Sequence, residues 1–432
     1  MENVCVIGLW HLGCVYSAGL ADLGYRVIGV DSDIEVVKNL NRGIPPIYEP
    51  NLKEQVIGNI KSGALCYTAD IANTVSGCPY IMITADTPLD DNDEVDLSPI
   101  REICKSIAPY LQSETLLIIC SQVPVGTCDV LKTIIEAENP AARFDIVYSP
   151  ENLKLGNAIA YFKQPDRIII GADSENALTK AEKFFSVTNA PIIKMGLRSA
   201  EAAKHALNAF LATSISFCNE IANICDEVGA DALDVMQVLH SDSRIGNGIP
   251  LLPGLGFSGG TLARDLKVIQ KIGKENNCDT LLTDSVLAIN RKQNSIVISK
   301  LERKFNSLVN LNISVLGLTY KPHTDTLRRS AALTIIAELI EKGAKVKAYD
   351  PCADISVLKK PLAFEFCDNA YSAANNSDAL AFITEWPEFK ALDFCEIKKI
   401  MKTPILIDVK NMLNMKEMEL LGFSYIGIGR GK

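Results

Sequence analysis

Lys204 and Asn208 stand four positions apart in a stretch of helical periodicity, so their side chains share one helix face. That face continues through Leu211, Ile215, Cys218 and Ala222, an apolar stripe. A lysine at the head of such a stripe either carries its ammonium back to solvent or aims it into a site. Near the start, Gly8-Leu9-Trp10-His11-Leu12-Gly13 lies where a strand turns into a helix. Gly8 permits the tight turn and Gly13 the close packing of helix on strand, so a pyrophosphate could rest on backbone N–H groups around Leu12 and Gly13. Asp31 follows Gly8 by twenty-three positions, at the end of the next strand, where a carboxylate accepts both ribose hydroxyls and repels a 2′-phosphate. The pattern predicts NAD rather than NADP, although Trp10 occupies the place of the usual middle glycine. Asp265 closes a glycine-rich segment, Gly259-Gly260-Thr261-Leu262-Ala263-Arg264-Asp265, and by itself reads as the N-cap of the helix that follows.

The elements that position these residues repeat. Apolar runs at 4–7, 26–30, 80–84, 115–120, 145–148 and 167–171 read as buried strands separated by helical stretches, the pattern of a doubly wound parallel sheet. One long helix is predicted over 199–228, with further helix to about residue 305. Strand and helix then alternate again: 313–316, 331–342, 345–349, 379–383 and 405–408. The two α/β halves echo each other, since Gly8 and Gly317 both end a strand, and Asp31 and Asp350 both end the next one. The expected fold class is α/β, with domains at 1–195, 196–305 and 306–432.

Composition narrows the function classes. The 432 residues are too many for one core. A net charge of −9 argues against nucleic acid as a partner, because affinity for a phosphate backbone comes from clustered Lys and Arg. No apolar run reaches the roughly 18 residues that span a bilayer, and no basic leader precedes Val4, so the chain reads as cytoplasmic without a membrane partner. Thirteen scattered cysteines read as small buried hydrophobes in a reducing compartment. With no CxxC pair and with His11, His205, His240 and His323 far apart, no metal site is expected.

Further motifs run in order along nearly the whole chain: Asp86-Thr87-Pro88, Val123-Pro124-Val125-Gly126-Thr127, Ser149-Pro150-Glu151, Gln164-Pro165-Asp166-Arg167, Glu201-Ala202-Ala203-Lys204 with Asn208-Ala209-Phe210, Ser243-Arg244-Ile245-Gly246, Gly254-Leu255-Gly256-Phe257, and Tyr320-Lys321-Pro322 with Thr324-Asp325 and Arg328. Together they resemble the UDP-glucose/GDP-mannose dehydrogenase family, which oxidises the C6 alcohol of a nucleotide sugar with NAD. The resemblance implies two Rossmann-like domains joined by a long central helix, and a homodimer built on that helix. It implies that Lys204 and Asn208 hydrogen-bond the sugar hydroxyl, with the lysine stabilising alkoxide charge. Asp265 would help a water remove the hydroxyl proton, and Glu151 would be a polar anchor beside the sugar. Thr87, Pro88, Gln122 and Arg328 would line the cofactor. Gly256, Phe257 and Lys321 would contact the substrate, and Arg244 would reach into the neighbouring subunit's pocket.

The departures fall among the catalytic positions. The family's nucleophilic cysteine lies four residues before the aspartate, and that position is Thr261. The cysteine traps the aldehyde for a second oxidation through a thioester; a threonine hydroxyl, with a pKa far above a thiol's, is a poor substitute. Gln122 replaces a water-positioning threonine, Leu155 replaces a glutamate used in the later steps, and the segment from Arg244 to Gly254 is one residue longer than usual. The expected activity is oxidation of a nucleotide sugar, UDP-glucose or a related UDP-hexose: the chemistry of Thr261 favours a stop at the two-electron product, while the family resemblance implies the full four-electron reaction to the acid. The competing readings are a catalytically silent nucleotide-sugar-binding regulator of a polysaccharide pathway, and a 3-hydroxyacid or 6-phosphogluconate type of dehydrogenase. The second α/β domain argues against the last.

Overall fold

Strands buried on both faces need continuous apolar runs, and Thr115–Ile119 (TLLII), all five residues buried, is the clearest case. The computed structural model describes residues 2–88, 95–151, 153–246, 248–258, 260–358 and 362–431. The chain divides into two units, Met1–Ala206 and Leu207–Lys432.

The described residues of the first unit form an eight-stranded sheet of β1 (Asn3–Ile7), β2 (Arg26–Val30), β3 (Leu65–Thr68), β4 (Tyr80–Ile83), β5 (Thr115–Ile119), β6 (Phe144–Tyr148), β7 (Ile168–Gly171) and β8 (Ile192–Met195). Their order is β3-β2-β1-β4-β5-β6-β7-β8. The first six strands are parallel in the doubly wound order, whose reversal between β1 and β4 opens a crevice for a ligand at the strands' carboxyl ends. Only the single pairing of Tyr148 with Gly171 is antiparallel, and it appends β7 and β8. The helix His11–Asp22 packs behind β1 and is buried without interruption from Gly13 to Ala21, so its sequence is apolar all round rather than striped.

The described residues of the second unit form a six-stranded, all-parallel sheet of β9 (Asn312–Leu316), β10 (Lys345–Tyr349), β11 (Glu365–Phe366), β12 (Ala379–Phe382), β13 (Ile405–Asp408) and β14 (Ser424–Gly427), in the order β11-β10-β9-β12-β13-β14. Two doubly wound sheets and the 32-residue central helix, Leu197–Val228, are the expected fold class. No helix among the described residues is long and apolar enough to cross a membrane.

Candidate functional site

The turn after β1 is built so that only glycine fits. Gly8 has φ +98, and a Cβ there would lie 2.6 Å from the Ala85 Cα. A Cβ on Gly13 would lie 1.9 Å from the Gly8 carbonyl oxygen. The helix His11–Asp22 therefore starts hard against the strand end, without a side-chain cap and without an acidic residue in its first turn. Its N-terminal N–H groups and positive dipole end suit a pyrophosphate. Trp10, at the N-cap, has φ −87 and is 49% exposed, so the missing glycine leaves neither strain nor a clash in the core. Asp31 follows β2, and its Oδ2 accepts the Leu9 N–H at 2.7 Å while Oδ1 accepts the Asp33 N–H at 3.0 Å. The cradle and the carboxylate fit a dinucleotide.

The loops after β4 and β5 meet through Thr87, which is buried and donates its hydroxyl to the Gln122 carbonyl at 2.7 Å. Pro88, beside it, is half-buried, and its carbonyl accepts the Asp96 N–H.

The first turns of the central helix dock on these loops. Buried Glu201 accepts the N–H groups of Gly126 and Cys128, so it caps the helix Thr127–Glu138 in place of that helix's own residues. Burial pushes the Glu201 carboxyl above the usual 4.5, against the downward pull of those two N–H groups. His205, one turn on, donates from Nε2 to the Val123 carbonyl at 2.8 Å. Lys204 lies between them and is 5% exposed; its ammonium donates to the Glu151 carbonyl, and to Glu151 Oε1 at 3.1 Å. The ammonium is held inside, not carried back to solvent. Glu201 and His205 were not singled out in the sequence. Their signal is the i, i+4 spacing of two ionisable residues beside the Lys204 face.

In the second unit Asn208, one turn beyond Lys204 on the same helix, donates its amide to Asp265 Oδ2 in a short hydrogen bond. Asp265 is fully buried and is not an N-cap, because the helix Thr261–Glu275 begins four residues earlier with Gly260 at its cap position. Thr261 is the exposed first residue of that helix. The ring of Phe257 is buried with Ala212, Leu266, Val286 and Leu287, and its carbonyl accepts from Asn290 Nδ2 at 3.0 Å. Gly256 is pressed against the helix Leu281–Asn294, where a Cβ would meet Asn290 Oδ1 at 2.4 Å. Arg244 is exposed and forms a bidentate pair with Asp242 in its own turn. Lys321 lies 5.6 Å from the Tyr320 ring, and Arg328 is exposed ahead of the helix Ala331–Glu341. The structure thus brings together Gly8, Gly13 and Asp31; Thr87 and Gln122; Glu151 and Lys204; and Asn208 and Asp265.

The second sheet repeats the first turn but closes it. Gly317 has φ +92, and the 4% exposed Asp350 accepts N–H groups from Leu318, Thr319, Cys352 and Ala353, the Thr319 hydroxyl and Trp386 Nε1. With those six donors its acceptor capacity is spent inside the protein, whereas Asp31 receives two.

Residues 2–189 match the NAD binding domain of the UDP-glucose/GDP-mannose dehydrogenase family, 198–292 its central domain and 314–415 its UDP binding domain. The UDP-glucose 6-dehydrogenase TuaD of Bacillus subtilis is 36% identical across 100% of this chain and 94% of its own length. The chain belongs to the UDP-glucose/GDP-mannose dehydrogenase family. The UDP-glucose 6-dehydrogenase of Rhizobium meliloti is likewise 36% identical, over 99% of each chain. Among solved structures, a UDP-glucose dehydrogenase from Pyrobaculum islandicum superposes with a TM-score of 0.90 at 28% identity, covering 100% of this chain and 98% of the other. A UDP-D-ManNAc dehydrogenase from Pyrococcus horikoshii gives 0.88 at 27% identity and covers both chains fully. Family membership makes the protein an NAD-dependent oxidoreductase of nucleotide sugars, with the NAD binding domain over residues 2–189.

Proposed function

We propose that the protein oxidises the C6 alcohol of a UDP-hexose, UDP-glucose first among the candidates, and stops at the aldehyde. The observation that carries the proposal is the residue set at the start of the helix Thr261–Glu275: a buried Asp265 gripped by Asn208, with a threonine rather than a thiol one turn before it. Relatives named UDP-glucose 6-dehydrogenase at 36% identity support the choice of sugar.

The chain's residues divide the work. NAD, when bound, accepts the hydride that leaves C6. Lys204, fixed by Glu151, faces the hydroxyl oxygen with a desolvated cation, and charge stabilisation of this kind is worth about 3–4 kcal/mol in the transition state. Asn208 orients Asp265, which takes the hydroxyl proton through a water. Oxygen keeps its bond to C6, the carbon loses a hydride and the hydroxyl a proton, and an aldehyde results. Nothing in the set then offers a thiolate to trap it. Glu151, Thr87, Pro88, Gln122 and Arg328 are assigned to cofactor and sugar positioning, with Gly256, Phe257 and Lys321 on the nucleotide sugar. Arg244 is assigned to the pocket of a second copy.

The test is turnover of the purified chain with NAD and a panel of UDP-hexoses, counting NADH per sugar consumed and weighing the product. One NADH and a trappable aldehyde is the expected result. Two NADH and a uronic acid would overturn the stop at the aldehyde. Tight sugar binding without NADH would favour a silent nucleotide-sugar-binding protein.

A further inference from the structure

Glu49 is not used by the reaction just described, yet it is among the most enclosed carboxylates of the first unit: its side chain has no exposed surface. It lies in the connection between the helices Ile34–Asn41 and Leu52–Lys61. Burying a polar group is costly unless it is hydrogen-bonded, and both oxygens of Glu49 are. Its Oε1 accepts the Ala158 N–H at 2.8 Å, and its Oε2 accepts the Gly156 N–H at 2.8 Å. The same Oε2 lies 2.9 Å from His11 Nε2.

These contacts join two places that the reaction needs. His11 is the first residue of the helix whose N-terminus closes the Gly8–Gly13 turn. Ala158 is the first residue of the helix Ala158–Lys163, whose N-cap Asn157 makes no side-chain bond, so Glu49 caps it from outside. Gly156 and Ala158 follow Glu151, the residue that holds Lys204, and Gly156 has φ +84, a turn that depends on its partner for a fixed geometry. One carboxylate therefore clamps the dinucleotide turn on one side and the segment after the lysine's anchor on the other.

We infer that Glu49 and His11 are positioning residues, through which a dinucleotide on the Gly8–Gly13 turn fixes the backbone at Gly156 and Ala158. This rests on the reading of that turn as the cofactor site. A dinucleotide that orders the helix start restricts the His11 ring, the ring restricts the carboxylate, and the carboxylate restricts Gly156 and Ala158. A buried, fully satisfied network transmits such a restriction because it has few alternative arrangements.

The experiment is amide hydrogen exchange of peptides covering residues 153–163, with and without NADH at ten times each variant's own dissociation constant. Wild type should show exchange slowed by roughly fivefold or more on NADH binding, the lower end of ordinary coupling between sites. His11→Ala removes the link at a partly exposed helix start and should bring that factor below about twofold, while His11→Gln, whose amide still reaches the carboxylate, should restore it. Protection in His11→Ala equal to wild type, or no protection in wild type, would overturn the inference. Asp31→Asn keeps the two readings apart. If it leaves NADH affinity unchanged, the cofactor assignment of the turn fails and the inference fails with it. If it weakens NADH while His11→Ala keeps the protection, the inference alone fails.

Discussion

At the scale of the single residue, the proposed stop at the aldehyde rests first on Thr261, a hydroxyl where the family pattern has a thiol. Thr261 is exposed at the first position of a helix, where the dipole and unpaired N–H groups depress the pKa of a thiol but leave a hydroxyl neutral. Thr261→Cys should therefore yield a thiolate that adds to the aldehyde carbon, and loss of a second hydride would then leave a thioester. Intact-protein mass after one turnover should show the acyl adduct, with NADH per sugar rising above one. Thr261→Ala should hold the first oxidation within about threefold of wild type, since the hydroxyl does not stabilise charge in that step. An unchanged ratio and no adduct in Thr261→Cys would move the block to Gln122 or Leu155. The same scale explains why Asp31 and Asp350, equivalent in sequence, differ in use. Two donors on a partly exposed carboxylate leave room for ribose hydroxyls; six on a buried one leave none.

At the scale of the element, the first three turns of the central helix are anchored by buried Glu201, Lys204 and His205. Glu201 carries a testable pH signature. Its folded carboxyl sits above the unfolded value because burial disfavours the anion. The folded state then binds the proton more readily than the unfolded state, so this group's contribution to stability is present at acid pH and declines as pH rises through the window from 4.5 to the raised folded value. Glu201→Gln removes the titration. The difference in melting temperature, wild type minus Glu201→Gln, should be larger near pH 4.5 than at pH 7.5; a flat or rising difference would mean that the two N–H bonds outweigh burial. Elements also mark how much was legible from sequence. Central strands such as Thr115–Ile119 announced themselves because both faces are buried. Leu65–Thr68 and Ile192–Met195 did not, being four-residue edge strands whose exposed positions break the apolar run. Near the candidate site, the shared face of Lys204 and Asn208 and the turn at Gly8 were readable from spacing, whereas the direction of the Lys204 ammonium was not. Glu49 was not, since its partners at 11, 156 and 158 come together only once the sheet has formed.

At the scale of the whole molecule, the central helix carries a face that one chain leaves uncovered. Phe210, Phe217 and Ile224 recur every seven residues and are 55%, 47% and 53% exposed, with Val228 continuing the line at 70%. Such a stripe seeks a partner. A second copy crossing antiparallel about a twofold axis at Phe217 would set Phe210 against Ile224 and Phe217 against itself, a self-complementary match. Phe217→Asp then places two carboxylates across the axis, yet it touches no core contact, because Phe217 is already exposed in the single chain. Sedimentation should show wild type at twice the chain mass and Phe217→Asp at once, with an unchanged melting transition in dilute protein; a dimeric Phe217→Asp would exclude this face as the interface. Such a dimer would also bear on Arg244. If its guanidinium serves the neighbour's site, Lys204→Met and Arg244→Ala, each inactive alone, should regain about a quarter of wild-type turnover when equal amounts are refolded together, because half the dimers are mixed and each mixed dimer holds one complete site. No recovery, with mixed dimers demonstrated by mass, would return Arg244 to the surface pair it makes with Asp242.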